Sequence, residues 1–138
     1  SLRLEKGWGA WTLEFRPDFN AVESGMDAFI NWNKDFVGKA ATEAFKADGV
    51  ARKLVTLTVE TDMDVTLDEA VLKDGDAIGY ITSGGYAHHV GKSMAMAYVA
   101  AEHAEAGSKV DVEIMGEMKS AEVLGAPIYD ANGGRMRS

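Results

Sequence analysis

The chain has 138 residues, with 14 basic and 22 acidic side chains and a formal net charge of −8. This length fits one domain, or a small domain joined to part of another. The chain contains no cysteine, which excludes disulfides, thiolate metal sites and a cysteine nucleophile. The acidic balance argues against nucleic acid as a partner. No apolar run approaches the roughly 20 residues needed to span a bilayer, so we expect no membrane contact and a cytoplasmic location.

The N-terminus suggests that the chain is part of something longer. Its first residue is Ser1 rather than methionine, and it leads directly into Leu2-Arg3-Leu4-Glu5. Natural N-termini are more often polar and frayed. We therefore expect a fragment of a longer polypeptide.

The first fifty residues contain one amphipathic helix. Apolar residues at spacings of three and four predict a helix over 36–47, with Asp35 as its N-cap and Gly49 at its C-terminal end. The pattern over 17–31 fits either a strand or a helix. We interpret residues 1–50 as the tail of a preceding α+β domain.

After residue 50 the hydrophobic period changes to two, which is typical of strands. Runs separated by glycine turns predict strands within 55–59, 77–82, 93–100, 110–114 and 118–124. The third run is apolar on both faces, which favours a strand buried on both sides, although a helix stays open. We therefore predict a mainly β fold with an N-terminal α+β segment. Its main part is a small antiparallel, Greek-key-like barrel over 51–138.

Several local motifs suggest ligand chemistry but match poorly. The segment 85–93 has one residue too many between its first glycine and its Gly-Lys-Ser for a phosphate-binding loop. His88 and His89 are adjacent, so on an extended chain their rings point to opposite faces. The acidic run over 60–76 lacks the glycine and the glutamate of a calcium loop. We predict no metal site and no catalytic residue in this chain, with a proton-transfer role for either histidine as the least favoured alternative.

Glu5 is the most informative carboxylate, because it lies among apolar residues and near a glycine. The simpler interpretation is a surface glutamate paired with Arg3 or Lys6. A partly buried carboxylate can instead accept two parallel hydrogen bonds from a planar N–H/NH₂ edge. Trp8 and Trp11 would then wall the same cleft, or they would belong to the core. The residues themselves leave these interpretations open.

Five motifs follow one another along the chain: Arg3-Leu4-Glu5-Lys6-Gly7, Asp35-Phe36-Val37-Gly38-Lys39, Gly79-Tyr80-Ile81-Thr82-Ser83-Gly84-Gly85-Tyr86, Gly91-Lys92-Ser93-Met94-Ala95-Met96-Ala97-Tyr98-Val99 and Ala126-Pro127-Ile128-Tyr129-Asp130. In this order and spacing they resemble the C-terminal half of the glycine cleavage T-protein (aminomethyltransferase) family. The stretch 84–89 and the ending 134–137 resemble more closely the folate-dependent C-terminal regions of dimethylglycine and sarcosine dehydrogenases.

The resemblance implies a fold of three parts around a channel that holds tetrahydrofolate. The folate-contacting glutamate of the family falls on Glu5, and a basic contact falls near Lys34. The further candidate folate contacts are Trp8, Tyr86, His88 and Arg135. The catalytic aspartate of the family lies in an N-terminal half that this chain does not contain.

The implied function is transfer of a one-carbon (methylene) unit to tetrahydrofolate. This chain would be the folate-binding, channel-closing part of an aminomethyltransferase-like enzyme and inactive alone. Its partners would be the folate and the N-terminal half of the same polypeptide. If the enzyme is a transferase, a lipoyl carrier protein would be a third partner. If it is a dehydrogenase, a missing N-terminal domain would bind FAD. The alternative is a non-catalytic structural or interaction barrel of a flavin-dependent dimethylglycine or sarcosine dehydrogenase.

Overall fold

The computed structural model describes residues 2–137, and a closed antiparallel barrel of six strands forms most of it. Around the barrel the strands follow the order β1-β4-β3-β2-β5-β6, and β6 closes onto β1. The strands are β1 (Arg52–Val59), β2 (Ala70–Lys73), β3 (Asp76–Ala87), β4 (Lys92–Ala100), β5 (Lys109–Ile114) and β6 (Glu117–Leu124). This confirms the predicted mainly β fold and its small antiparallel barrel.

The barrel interior is filled by the apolar half of each alternating strand. In β1 the side chains of Val55, Leu57 and Val59 are buried, and the residues between them are partly exposed. In β5, Val110 and Val112 are buried in the same way. Because successive side chains of a strand point to opposite faces, this alternation places one row in the core and the other towards solvent.

Strand β4 is buried on both faces, as its sequence predicted. Ala95 and Ala97 belong to the interior cluster of the barrel. Met94 and Met96, on the opposite face, pack with Leu4 from the N-terminal segment. The strand is therefore apolar on both sides because a second layer covers the outside of the barrel, and the helical alternative for this stretch is wrong.

The glycines in the middle of β3 gave a misleading turn signal. The expected strand over 77–82 continues through Gly84 and Gly85 to Ala87, with a bulge between Ile81 and Ser83. A Cβ added to Gly84 would lie 2.7 Å from the carbonyl carbon of Val65. Glycine is needed here because another backbone segment crosses the strand closely. Four-residue β2 was also not predicted.

Residues 2–51 form two α-helices, a 3₁₀-helix and turns. The helices are α1 (Leu2–Glu5) and α2 (Lys39–Asp48), and the 3₁₀-helix is Met26–Phe29, so the ambiguous stretch over 17–31 contains no strand. Two further 3₁₀-helices are Ala101–His103 and Gly134–Met136. Among the described residues, none of these helices is long and apolar enough to cross a membrane.

Helix α2 begins three residues later than the predicted start of 36–47. Its N-cap is Gly38, whose φ of 90° is left-handed, and not Asp35 as predicted. A left-handed residue interrupts the helical path, so the two residues before it stay outside the helix. Asp35 lies 3.9 Å from the Lys39 Nζ atom on the exposed side of this turn. Gly49 follows the last helical residue, which confirms the predicted end.

Candidate functional site around Glu5

Helix α1 is held against the outside of the barrel by Leu4. This side chain is buried and packs with Ala87, Met94 and Met96 of the β3–β4 hairpin. Because Leu4 anchors the short helix, the next residue, Glu5, lies beside the hairpin turn over 88–91. Packing against the barrel therefore sets the position of the glutamate.

The Glu5 side chain is completely buried, and only half of its carboxylate is satisfied. Its Oε1 atom accepts a hydrogen bond of 3.0 Å from the backbone N–H of His89. Its Oε2 atom is buried and has no hydrogen-bond partner among residues 2–137. Burying a carboxylate oxygen without a donor is costly, so this atom is an acceptor that a ligand with an N–H group would satisfy.

The interpretation of Glu5 as a surface residue paired with Arg3 or Lys6 is wrong. The Arg3 Nη1 atom lies 3.5 Å from an oxygen of Glu14. The Lys6 Nζ atom lies 3.9 Å from the Asp130 Oδ2 atom and donates to the backbone carbonyl of the same residue. Both neighbouring cations thus have other acids as partners.

The other two buried glutamates of the N-terminal segment show how a structural carboxylate is satisfied here. Glu14 accepts from the Ala10 N–H at 2.7 Å and from the Ser83 hydroxyl, and it pairs with Arg3. Glu23 likewise accepts from one backbone N–H at 2.9 Å and from an arginine Nε atom at 3.0 Å. Glu5 differs from both, since within residues 2–137 it has a backbone donor but no cation, and one of its oxygens has no donor.

The segment after β6 forms the second side of the site. The Tyr129 N–H donates to the backbone carbonyl of Glu5 at 3.3 Å, and the Tyr129 ring lies 4.1 Å from the His89 ring. The Arg135 Nη1 atom donates to the Tyr129 hydroxyl at 2.9 Å. The structure therefore connects Glu5 with Arg135, another predicted contact, through Tyr129.

Sequence reasoning missed the two residues that frame Glu5. The His89 contribution is a backbone N–H, which has no signal in residue chemistry. Tyr129 stood inside the Ala-Pro-Ile-Tyr-Asp motif, but nothing in that motif indicated contact with residue 5.

The remaining predicted folate contacts lie in three different parts of the chain. The rings of Tyr86 and His88 meet edge to face with centroids 5.0 Å apart, at the end of β3 and in the following turn. The Trp8 side chain is 58% exposed, and its carbonyl accepts from Arg3 at 3.1 Å. Lys34 is exposed in the turn before α2, and no hydrogen bond or ion pair recorded within residues 2–137 joins it to Glu5.

A second buried polar cluster ties the N-terminal segment to β4. The Tyr98 hydroxyl donates to the backbone carbonyl of Glu14 at 2.9 Å, and its ring stacks on Phe19 with centroids 3.6 Å apart. Burial, with the nearby charges of Glu23 and Glu14, raises the pKa of Tyr98 well above its usual value. The phenol therefore stays protonated and keeps donating.

The histidine and phosphate-loop motifs resolve into a β-hairpin. Residues 85–93 contain the end of β3, a four-residue turn and the start of β4, so no helix N-terminus follows the glycines. His103 lies in a separate 3₁₀-helix, 3.5 Å from a Glu102 oxygen. Within residues 2–137 no group of three or more histidine, aspartate or glutamate side chains is arranged to hold a metal ion.

Comparison with known proteins gives a family match and longer relatives. Residues 52–130, more than half of the chain, match the model of the "Glycine cleavage T-protein C-terminal barrel domain" family. The chain is 44% identical to the mitochondrial dimethylglycine dehydrogenase of Rattus norvegicus, over 93% of this chain and 15% of that protein. It is 37% identical to the aminomethyltransferase of Moorella thermoacetica, over 94% of this chain and 36% of that protein.

A solved structure with the same fold agrees with these matches. It is the glycine cleavage system aminomethyltransferase T from Bartonella henselae, with a TM-score of 0.87 and 24% sequence identity. The similarity covers 94% of this chain and 37% of that one. The chain thus spans well under half the length of the relatives that it matches.

Proposed function

Because this chain belongs to the glycine cleavage T-protein C-terminal barrel family, we propose that it is the folate-binding C-terminal part of an enzyme that transfers a one-carbon unit to tetrahydrofolate. Its relatives are named as aminomethyltransferases and dimethylglycine dehydrogenases, which are enzymes. The catalytic group of the proposed reaction lies outside this chain, in a preceding region of a longer polypeptide.

The observation that carries this proposal is the empty oxygen of Glu5. A buried carboxylate with one oxygen held by His89 and the other unpartnered fits a planar ligand edge that has two adjacent N–H groups. The pterin of tetrahydrofolate has such an edge. The resemblance of the sequence motifs to the family implies a folate-contacting glutamate at the same residue, and this supports the proposal separately from the geometry.

The role of the chain in the reaction is orientation rather than bond breaking. The one-carbon unit is accepted by nitrogen atoms of tetrahydrofolate. A carboxylate that is already fixed by His89 and by the backbone contact of Tyr129 loses little further freedom when the pterin binds. Such fixed geometry favours the reaction, because the one-carbon donor and the tetrahydrofolate must be held in the correct relative orientation. The barrel would form one wall of the channel and exclude water from it.

The other predicted contacts would surround the rest of the ligand. Arg135, which donates to the Tyr129 hydroxyl, would supply a further contact near the C-terminus. Tyr86 and His88 would border the channel on the hairpin side. We keep Trp8 and Lys34 as proposed folate contacts. They would form when the folate is bound and the preceding region of the polypeptide is present.

The direct test is the affinity for tetrahydrofolate of the complete polypeptide carrying Glu5→Gln. Loss of a charged hydrogen bond of about 1.5–3 kcal/mol corresponds to binding weaker by roughly 10- to 150-fold, measured by calorimetry. The matched control is Glu23→Gln, since Glu23 is also buried but pairs with Arg52. We expect this control to change stability and leave folate affinity within about twofold. Unchanged affinity in the Glu5 variant, with the fold intact, would contradict the proposal.

A second candidate function is supported by the 44% identity to the dimethylglycine dehydrogenase of Rattus norvegicus, against 37% to the aminomethyltransferase of Moorella thermoacetica. In it, the barrel is a structural or interaction part of a flavin-dependent dimethylglycine or sarcosine dehydrogenase and binds no folate. The complete polypeptide would then carry FAD in a preceding domain, whereas a transferase would meet a lipoyl carrier protein instead.

One variant separates the two functions. In a folate-using dehydrogenase, Glu5→Gln is expected to reduce formation of methylene-tetrahydrofolate and to leave oxidation of the amine at the flavin intact. In the structural alternative neither rate changes. A complete polypeptide without any flavin would point to the free transferase.

A further inference from the structure

The donor that holds the Glu5 carboxylate is a backbone N–H in the middle of a turn. Within this β3–β4 turn, the Val90 and Gly91 N–H groups donate to the Ala87 carbonyl at 3.2 and 2.8 Å. The His89 N–H instead points out of the turn and donates to the Glu5 Oε1 atom at 3.0 Å. The two turn hydrogen bonds do not involve this N–H, so its direction depends on the backbone dihedrals around residue 89.

The imidazole ring of His89 makes a contact outside the turn that limits these dihedrals. Its centroid lies 4.1 Å from that of the Tyr129 ring, and the two ring planes are inclined at 56°. His89 is exposed and Tyr129 is half-buried, so the more fixed ring belongs to Tyr129. Flat rings in contact attract each other beyond the effect of their buried area. Tyr129 therefore restricts how far the turn can move at residue 89.

Tyr129 is attached to the same helix that carries Glu5. Its N–H donates to the Glu5 backbone carbonyl at 3.3 Å. The preceding residue, Ile128, packs with the apolar cluster that anchors helix α1. The following residue, Asp130, accepts a hydrogen bond from the Lys6 Nζ atom at its backbone carbonyl. The chain is thus held against helix α1 on both sides of Tyr129, and the Tyr129 ring extends from there to the turn.

These contacts form a closed cycle of three residues. The Glu5 carboxylate meets the His89 N–H, the His89 ring meets the Tyr129 ring, and the Tyr129 N–H returns to the Glu5 carbonyl. We infer that Tyr129 is a positioning residue of this site. Its ring keeps the His89 N–H on the Glu5 Oε1 atom, so that the buried Oε2 atom stays the acceptor for the ligand. The consequence for the ligand rests on the proposed function, whereas the positioning of the N–H does not.

Hydrogen exchange of the residue 89 amide, followed by NMR in the 138-residue chain without folate, tests the positioning directly. Tyr129→Leu removes the ring and keeps the backbone N–H. We expect the amide to exchange about 3- to 10-fold faster, as for the loss of one ring pair. His89→Ala removes the other ring and should give a similar factor, after correction for the effect of the new side chain on exchange.

Two controls separate positioning from a general loss of stability. Tyr129→Phe keeps the ring and loses the hydroxyl that accepts from Arg135, so the residue 89 rate should stay within about twofold. The Val112 amide, in the buried part of β5, reports global unfolding in every variant. An unchanged residue 89 rate in Tyr129→Leu or His89→Ala would overturn the inference. So would an equal acceleration at Val112.

Calorimetry on the complete polypeptide tests the consequence for the ligand. Tyr129→Leu should weaken tetrahydrofolate binding by about 3- to 10-fold. With Glu5→Gln already present, it should weaken binding by less than about twofold, because the two changes act through one network. Equal losses in the two backgrounds would show that Tyr129 acts independently of Glu5 and would overturn the inference. If Glu5→Gln alone leaves the affinity unchanged, the proposed function fails, and the residue 89 exchange rate still decides whether Tyr129 positions the N–H.

Discussion

The barrel and the N-terminal segment bury different kinds of side chain. The barrel interior is an apolar cluster of fourteen residues between Val55 and Val123. In residues 2–51, by contrast, only two large apolar side chains are buried, Leu4 and Phe19, beside three glutamates, and eight large apolar side chains of this segment are exposed. The barrel is therefore stabilised mainly by its own hydrophobic core, whereas the segment is ordered by hydrogen bonds to buried carboxylates.

This difference explains why the candidate site lies where the two regions meet. A closed barrel with a packed interior is rigid, so its hairpin offers a fixed N–H at His89. The segment brings a carboxylate, Glu5, to that fixed point. The segment also presents apolar surface outward, since Trp11 and Phe29 are each 82% exposed. Two of its three buried glutamates are occupied in holding the segment, and the third, Glu5, has one oxygen without a donor within residues 2–137.

The largest expected effect tests the independence of the barrel core. Leu57 is completely buried in β1, and Leu57→Ala is expected to lower the free energy of unfolding by about 2–5 kcal/mol through lost contacts and a cavity. Urea unfolding of the 138-residue chain measures this. Leu67→Ala is the matched control, since Leu67 is 50% exposed and should change stability by less than about 0.5 kcal/mol. Equal losses in the two variants would mean that the interior is not the source of stability.

The next effect tests whether carboxylates order the segment. Glu14→Gln removes a charge that holds the Ala10 N–H, the Ser83 hydroxyl and Arg3. We expect a loss of about 1–3 kcal/mol, seen as a lower thermal midpoint. The control is Glu122→Gln, because Glu122 pairs with Lys109 on the exposed outside of the barrel and its removal should leave the midpoint unmoved. The same shift in both variants would remove the distinction between buried and exposed acids.

The sequence predicted the barrel better than it predicted the site. Alternation located β1, β5 and β6, and the two-sided apolar run located β4, because each pattern follows directly from burial. Four-residue β2 is too short for a periodic signal, and Gly84 of β3 accommodates a close backbone crossing at Val65 rather than a turn.

Glu5 was identified by its neighbours and by a family resemblance, but its environment was not. The contact that fixes its carboxylate joins residues 84 positions apart through a backbone N–H. No residue type indicates such a donor, and the burial of Glu5 depends on the whole barrel being in place. The orientation of a functional side chain is thus a property of the tertiary structure, whereas its chemical type can be read locally.

A smaller effect concerns Tyr98, where the two regions meet, and it depends on pH. Since its pKa is raised in the folded state, Tyr98 keeps its proton above about pH 10, where an unfolded tyrosine loses it. The unfolded state then binds fewer protons, so stability falls as the pH rises above about 10, by up to about 1.4 kcal/mol per unit. Below that pH this group contributes no slope.

Tyr98→Phe should therefore lower stability by about 1 kcal/mol near neutral pH, through loss of the hydrogen bond to the Glu14 carbonyl, and flatten the decline above about pH 10. Urea unfolding across this pH range measures both. Tyr86→Phe is the control, since Tyr86 is 45% exposed and should leave the slope as it is. A slope that persists in the Tyr98 variant would show that other groups cause the decline.

The smallest expected effect concerns helix α2. None of its residues is buried, so Phe45→Ser should change the stability of the 138-residue chain by less than about 0.5 kcal/mol. In the complete polypeptide the same substitution should cost more, because Phe45 would lie under a neighbouring region and lose buried apolar area. Denaturant unfolding of both proteins measures the difference. If Phe45→Ser destabilises the isolated chain as much as Leu57→Ala does, the segment has an apolar core of its own, and the contrast between a self-sufficient barrel and a segment completed by a partner is wrong.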